Sequence, residues 1–145
     1  MLFAKKKPTL VRLLLVEDEP LVAFDAEHLL TDQGYEIVAT VDRVADAVAI
    51  IGDGQAIDLV LADVNLADGN GVDVARAAQA RGIPVMFVTG QCPAEAEALA
   101  IGCLAKPYPQ HTLLAAIGTV EAQVAGKPPR RLPGGFRLFP VSGGA

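Results

Sequence analysis

The sequence predicts a doubly wound α/β domain, in which five helices flank a five-stranded parallel sheet. Short apolar runs alternate along the chain with longer stretches in which apolar residues recur at helical intervals. The apolar runs are almost uninterrupted, as expected for strands that helices cover on both faces of a parallel sheet. A chain of 145 residues, 52% of them hydrophobic, can bury the core of one such domain.

The five predicted strands are β-branched or leucine-rich runs. They are VRLLLV (11–16), YEIVATV (35–41), IDLVLAD (57–63), PVMFV (84–88) and CLAK (103–106). A five-stranded sheet of this kind commonly has the flavodoxin-like strand order 2-1-3-4-5, and its ligands bind beyond the carboxyl ends of the strands. The residues just after each strand are therefore the first candidates for a functional site.

The predicted helices lie between and after these strands. Apolar residues recur every three or four positions in the first three helices, and a last helix is predicted over about 110–124. Gly34, Gly52 and Gly82 each fall shortly before the next strand, where a helix must end. The recurring apolar residues are Leu21, Phe24, Leu29 and Leu30; Val44, Ala47, Val48 and Ile51; Val72, Val74, Ala75 and Ala78; and Leu113, Leu114, Ile117, Val120 and Val124.

The composition excludes several classes of function. All 17 acidic residues lie between residues 8 and 126, whereas seven of the 12 basic residues lie in the terminal segments. An acidic body argues against nucleic acid as the direct partner and is compatible with a bound divalent cation. Neither a membrane span nor a signal peptide is indicated, so we expect a cytoplasmic protein. Cys92 and Cys103 lack the spacing of a metal site and are predicted to be small buried hydrophobes.

Charged and polar residues follow four of the predicted strands. Glu17 and Asp18 end strand 1, Asp63 ends strand 3, Thr89 ends strand 4 and Lys106 ends strand 5. We expect these side chains to converge at one edge of the sheet. Crowded carboxylates oppose each other's ionisation unless a cation lies between them. Because the donors are oxygens, Mg²⁺ is the best match.

Asp63 is the predicted reactive residue of this group. It follows the run LVLA and precedes VNLADGNG, which is predicted to be a mobile loop. A carboxylate at a strand end beside Mg²⁺ can attack a phosphoryl group and carry it as an aspartyl phosphate. The ammonium group of Lys106 and the hydroxyl of Thr89 would then stabilise the added phosphoryl charge.

Four motifs, VEDE, LADVNLADGNG, PVMFVTG and AKP, together resemble the receiver domain of two-component response regulators over residues 10–124. The resemblance implies that Asp63 is the phospho-acceptor and that Glu17 and Asp18 are the acidic pair. It also implies that these three carboxylates and the main-chain carbonyl of Asn65 hold Mg²⁺, for which Mn²⁺ or Ca²⁺ could substitute.

The same resemblance implies roles for the remaining strand-end residues. Thr89 becomes the switch hydroxyl, Lys106 binds the phosphoryl group, and the bond between Lys106 and Pro107 is cis. The donor is then a sensor histidine kinase or a histidine phosphotransfer protein, and neither His28 nor His111 has a role.

The implied function is that of a signalling switch rather than an enzyme with a separate substrate, since a receiver catalyses only its own phosphoryl transfer and dephosphorylation. Output is expected through contact with an unknown partner protein or through a phosphate-sink role, and homodimerisation is left open. No nucleic acid or membrane partner is expected.

The chain departs from the typical receiver at strand 5. Receivers carry Tyr or Phe three residues before the lysine, whereas this chain has Cys103. Tyr108 is the nearest aromatic residue and is predicted to be a packing residue. The interval from Thr89 to Lys106 is short for a receiver, which predicts an abbreviated helix 4 at about 94–100.

The segment PVMFVTGQ resembles the strand-4 motif of the alphaproteobacterial FAT-GUY receivers, whose members also lack this aromatic residue and are linked to general stress signalling. The match is incomplete, because Val88 and Gln91 replace an alanine and an aromatic residue of that motif.

Three segments are predicted: a flexible basic N-terminus (1–9), a receiver domain (10–125) and a flexible tail rich in proline and glycine (126–145). Glu19 is predicted only to start the first helix.

Two alternative functions remain. A Mg²⁺-dependent phosphohydrolase of the haloacid-dehalogenase type would need a second aspartate where this chain has Asn65. A pseudo-receiver that binds its partner without phosphorylation is disfavoured by the intact set of site residues.

Overall fold

The computed structural model describes residues 10–127 and 131–139. Strands and helices alternate along the chain in the predicted order, and a two-stranded hairpin and a last short strand are added to them. The elements are β1 (Arg12–Val16), α1 (Pro20–Asp32), β2 (Glu36–Val41), α2 (Val44–Gly52), β3 (Leu59–Ala62), β4 (Asn65–Leu66), β5 (Gly69–Asn70), α3 (Gly71–Ala80), β6 (Val85–Thr89), α4 (Ala96–Leu99), β7 (Gly102–Ala105), α5 (Gln110–Val124) and β8 (Phe136–Leu138).

The main sheet has the order β2-β1-β3-β6-β7-β8. Its first five strands are parallel and correspond to the predicted order 2-1-3-4-5, which is confirmed. Leu14 pairs with Val60 and Val60 with Val85, so the three central strands run in register. Such a register places the carboxyl ends of β1, β3, β6 and β7 at one edge of the sheet.

Helices cover both faces of the sheet, which explains why the strands read as continuous apolar runs. On one face, α2, α3 and α4 pack against residues such as Val60 and Phe87. On the other face, α1 and α5 pack against residues such as Leu61 and Met86. None of the helices in the described part of the chain is long and apolar enough to cross a membrane.

Three helical patterns were only partly right. Leu30 is buried, but Leu21 and Phe24 on the same helix are exposed, and so are Val48 on α2 and Val124 at the end of α5. Leu21 and Phe24 precede Leu30 by nine and six residues, which at about 100° per residue turns them away from the buried face of α1. Val124 lies on the inward face of α5 but is its last residue. The abbreviated fourth helix is present and is only four residues long.

The sixth strand corrects the prediction that residues 126–145 form a flexible tail. Phe136–Leu138 pair antiparallel with β7, and Phe136 and Phe139 are buried. The tail prediction is wrong here because the aromatic residues contribute apolar surface that the edge of the sheet can bury. The predicted flexible segment 1–9 lies outside the described residues, as do 128–130 and 140–145.

Candidate functional site

The strand ends bring the predicted site residues together. The backbone N–H of Asp63 donates to the carbonyl of Val16 at 2.9 Å, so β1 and β3 stay paired up to the site. The backbone N–H of Lys106 donates to the carbonyl of Thr89 at 2.9 Å, so β6 and β7 also stay paired up to the site. The bond between Lys106 and Pro107 is cis, as the resemblance implied.

Lys106 lies at the centre of the site. Its Nζ is 2.6 Å from Glu17 Oε1 and 2.8 Å from Asp63 Oδ2. The side chains of Lys106, Glu17 and Asp63 are only 14%, 10% and 7% exposed. Glu19 Oε1 lies farther away, at 3.6 Å, and Glu19 is exposed. The structure therefore forms a buried triad of one ammonium and two carboxylate groups.

The predicted minor role of Glu19 agrees with its position. It is the N-cap residue of α1, and Pro20 follows at the first helical position, where proline is well tolerated. Its backbone N–H donates to Glu17 Oε2 at 3.0 Å, which helps to orient the Glu17 carboxylate.

Burial and pairing shift the pKa values of two members of the triad. Burial opposes the charged form of Lys106, but its hydrogen bonds to Asp63 and Glu17 outweigh this effect, and the pKa of Lys106 is raised. Burial raises the pKa of Glu17, and the hydrogen bond from Lys106 offsets only part of that increase. Lys106 is therefore a permanent positive charge at neutral pH.

The acidic residues have the composition of a divalent cation site. Carboxylate oxygens of Glu17, Asp18, Glu19 and Asp63 all lie within 4.8 Å of one another. Oxygen-only donors of this kind suit Mg²⁺, which is usually bound through one or two carboxylates and several waters. Of the three predicted carboxylate ligands, Lys106 contacts Glu17 and Asp63 but not Asp18.

Asn65 lies directly beside Asp63. Its backbone N–H donates to Asp63 Oδ1 at 3.3 Å. Asn65 also lines the cleft at the strand ends that is described below. The Asp63 carboxylate is thus held from both sides, with Oδ1 contacting Asn65 and Oδ2 contacting Lys106.

Thr89 has an unsatisfied hydroxyl group. The residue is 1% exposed, and its Oγ1 has no hydrogen-bond partner among the residues that the structure describes. Leaving a buried hydroxyl unpaired costs about 1–3 kcal/mol, so such a group calls for an explanation. A ligand at the neighbouring strand ends would provide the missing acceptor.

A cleft of about 530 Å³ opens above these residues. Its lining includes Asp63, Lys106, Asn65, Gly90 and Tyr108. Tyr108 also packs against the apolar cluster beneath α1 and α5, which agrees with its predicted packing role. A phosphoryl group and a hydrated cation fit in this space.

The loop after Asp63 is more ordered than its sequence indicates. The predicted mobile loop forms the β4–β5 hairpin, and Asp68 accepts hydrogen bonds from the backbone N–H groups of Val44 and Ala45 at 2.6 and 3.1 Å. Asn70 caps α3 by accepting from Val72 N at 2.8 Å. Sequence reasoning missed both caps. Asparagine is a common N-cap residue, but Asp68 caps α2 from 24 residues away, which a local pattern does not reveal.

Gly71 explains how α3 can begin so close to the site. A Cβ atom at residue 71 would lie 2.1 Å from the carbonyl oxygen of Asp63. Only glycine permits this approach, which the backbone N–H of Gly71 uses to donate to Val64 O at 2.7 Å.

Cys103 replaces the expected aromatic residue and is buried, as predicted. It belongs to the apolar cluster beneath α2, α3 and α4, against which Cys92 also packs. Burial raises the pKa of the Cys103 thiol, so this thiol stays neutral. Phe139 from the C-terminal segment belongs to the same cluster.

A family model described as the response regulator receiver domain matches residues 13–118. The chain belongs to this family. The receiver domain is therefore shown by its sequence as well as by its strand order, and the predicted identity as part of a two-component system is confirmed. Its matched region includes every residue of the site described above.

Two relatives of similar sequence are regulatory proteins. The chain is 35% identical over 79 residues to the phyllosphere-induced regulator PhyR of Methylorubrum extorquens, covering 53% of this chain and 30% of that protein. It is 31% identical over 112 residues to the transcriptional regulatory protein PdtaR of Mycobacterium tuberculosis, covering 73% of this chain and 54% of that protein. The receiver domain thus spans about a third to a half of these relatives.

Solved structures show the same fold. A response regulator receiver protein from Sinorhizobium medicae is 28% identical, with a TM-score of 0.68 over 78% of this chain and 95% of that chain. The chemotaxis response regulator CheY4 of Vibrio cholerae is 27% identical, with a TM-score of 0.67 over 77% and 99% of the two chains. The neighbours are covered almost completely, so the receiver fold is whole in this chain.

Proposed function

We propose that this receiver accepts a phosphoryl group on Asp63 from a histidine kinase or a histidine phosphotransfer protein, with Mg²⁺ as cofactor. One observation carries the proposal: a buried aspartate at a strand end is paired with Lys106 in an acidic cleft. Thr89 ends the strand between theirs, and its buried hydroxyl has no partner among the described residues. The fold alone would not require this combination.

Each residue has a distinct part in the proposed transfer. An oxygen of Asp63 attacks phosphorus while the bond from phosphorus to the donor nitrogen breaks. Lys106, which stays charged at neutral pH, stabilises the transferred phosphoryl oxygens, and the Thr89 hydroxyl donates to one of them. Glu17, Asp18, Asp63 and the main-chain carbonyl of Asn65 would hold Mg²⁺. When bound, the cation neutralises charge on the phosphoryl group and its acceptor.

We also infer that the protein acts in the cytoplasm and signals by contact with another protein. Phosphorylation changes the pairing of Lys106 and Thr89, which lie at the ends of β7 and β6. A shift of this kind needs only a few kcal/mol of differential binding between two states. Membership of the FAT-GUY group remains part of this proposal and is supported by PVMFVTGQ and by Cys103.

The test is intact mass spectrometry after incubation with acetyl phosphate and Mg²⁺. We expect one added phosphoryl group in the natural chain and in Asp53→Asn, an exposed control, and none in Asp63→Asn. Failure of both acetyl phosphate and a histidine kinase to form an adduct would instead favour a pseudo-receiver. Rapid turnover of added phosphoesters would favour the phosphohydrolase.

A further inference from the structure

The C-terminal strand closes an edge of the sheet that would otherwise be open. Ala105 N donates to Gly135 O and Phe139 N donates to Ile101 O, both at 2.9 Å. These bonds flank the antiparallel pairs that join Gly102–Ala105 to Phe136–Leu138. Without β8, β7 would present a row of unpaired backbone groups, which is a template for another strand.

Gly102 shows that this edge is shaped for an aromatic side chain. A Cβ atom at residue 102 would lie 2.6 Å from Phe136 Cζ and 2.9 Å from the carbonyl oxygen of Arg137. The three atoms nearest to that position all belong to β8. The backbone of Gly102 is not in the left-handed region, so its conformation does not require glycine. The missing side chain therefore serves to admit the ring of Phe136.

A second aromatic residue anchors the strand on the opposite face. Phe139 is 3% exposed and belongs to the cluster that contains Cys103 and Ala96. Between the two rings, Arg137 extends toward α4, where its guanidinium is 3.4 Å from Glu97 Oε1. Leu138 packs against the same cluster as Phe136, so residues 136–139 have the pattern aromatic, basic, aliphatic, aromatic.

The β7 edge lies close in sequence to two residues of the functional site, Lys106 and Thr89. The strand β7 ends one residue before Lys106, and α4, which Arg137 contacts, follows the loop after Thr89. The seated strand is only three residues long and is tethered through the segment between α5 and β8, which carries Pro133. A tether of this kind raises the effective concentration of the chain's own strand without making its contacts stronger.

From these contacts we propose that the β7 edge is a docking site for an extended segment of a partner protein with an aromatic–basic–aliphatic–aromatic pattern. The chain's own residues 136–139 occupy this site and compete with the partner. Binding would occur by strand addition, with main-chain hydrogen bonds supplying affinity and the Gly102 recess selecting the first aromatic residue. This site goes beyond the proposed phosphoryl transfer and does not depend on it.

The test uses a fluorescent peptide with the sequence of residues 131–139 as the probe, and anisotropy as the readout. The full-length variant Phe136→Ala/Phe139→Ala should bind it saturably, about tenfold or more tightly than the natural chain, whose edge is occupied. Adding Gly102→Ala to that variant should abolish the gain, because the recess is filled. Leu132→Ala, an exposed position, should behave as the natural chain does.

Two results would overturn the proposal. One is that the Phe136→Ala/Phe139→Ala variant keeps its circular dichroism spectrum but does not bind the peptide. The other is equal binding with and without Gly102→Ala. A stable dimer of the natural chain in light scattering, held by exchanged β8 strands, would assign the edge to a second copy instead and would also refute a separate partner.

A single substitution provides an independent check if the double variant does not fold. Gly102→Ala in the otherwise natural chain should speed hydrogen exchange of the Phe139 amide by about tenfold or more, since its bond to Ile101 is lost. The amide of Val60 in the central strand β3 should be unchanged. Retained protection at Phe139 would contradict the proposed recess.

Discussion

Lys106 contacts two carboxylates with one ammonium group, so the triad still carries one net negative charge while that group is present. Removing it leaves Glu17 and Asp63 facing each other without a cation. The raised pKa of Glu17 already indicates that burial disfavours its charge. The same crowding makes the site receptive to Mg²⁺.

We expect Lys106→Ala to lower the free energy of unfolding by about 2 kcal/mol in the absence of Mg²⁺. Added Mg²⁺ should restore part of the loss, because it takes over the neutralising role. Urea denaturation with and without Mg²⁺ measures both effects. Lys127→Ala, at an exposed position, is the control, and an equal loss in the two variants would contradict the role of the triad.

We expect the hydroxyl group of Thr89 to lower the stability of the domain but to assist its phosphorylation. Replacing Thr89 with valine keeps the shape and removes a buried hydroxyl that has no partner in the described part of the chain. We expect Thr89→Val to raise the free energy of unfolding by about 1 kcal/mol and to slow phosphorylation by acetyl phosphate. Denaturation and the time course of the mass change are the measurements.

The matched control is Thr119→Val, because the Thr119 hydroxyl already donates to Ala115 O at 2.9 Å. It should give no gain in stability and no change in phosphorylation. A loss of stability in Thr89→Val would mean that its hydroxyl has a partner in solution.

At the scale of elements, the β4–β5 hairpin links the loop after Asp63 to the start of α2. The carboxylate of Asp68 accepts from the first backbone N–H groups of that helix, which have no partner within the helix. The backbone hydrogen bonds from Ala45 and Val44 lower the pKa of Asp68. A loop predicted to be mobile is thereby attached to a neighbouring helix.

We expect Asp68→Ala to lower the melting temperature at neutral pH, while Asp53→Ala, at the other end of α2, does not. Because the pKa of Asp68 is lowered on folding, its stabilisation is complete above the ordinary aspartate value of 3.8 and is lost as pH falls through the lowered value. The difference between the natural chain and Asp68→Ala should therefore narrow between pH 6 and pH 3. A difference that does not change with pH would exclude a charged cap.

At the scale of the whole molecule, the C-terminal segment returns to the domain and completes it. Phe139 packs in the cluster that contains Cys103, on the face of the sheet that the four-residue helix α4 covers. We expect Phe139→Ala to lower the free energy of unfolding by about 3 kcal/mol, since it removes a buried ring. Phe24→Ala, at an exposed ring on α1, should change it by less than about 0.5 kcal/mol. Similar losses would show that β8 is not docked in solution.

Much of the domain could be predicted from local patterns. The five parallel strands were recognisable because each is an apolar run buried on both faces, and the site was recognisable because parallel strands end at a common edge. The short fourth helix followed from the interval between Thr89 and Lys106. The exposure of Leu21 and Phe24 also follows from a local pattern, because their spacing from Leu30 turns them away from the buried face of α1.

The order of residues along the chain determined which chemical groups stand at the strand ends, since strand period and apolar content are local properties. Tertiary structure decided how those groups pair: Lys106 contacts Glu17 and Asp63, whereas the Thr89 hydroxyl has no partner within residues 10–127 and 131–139. It also decided that β8 joins the sheet. Three residues are too few to form a strand alone, and their free energy of docking comes from Gly102 and the clusters on both faces of β7.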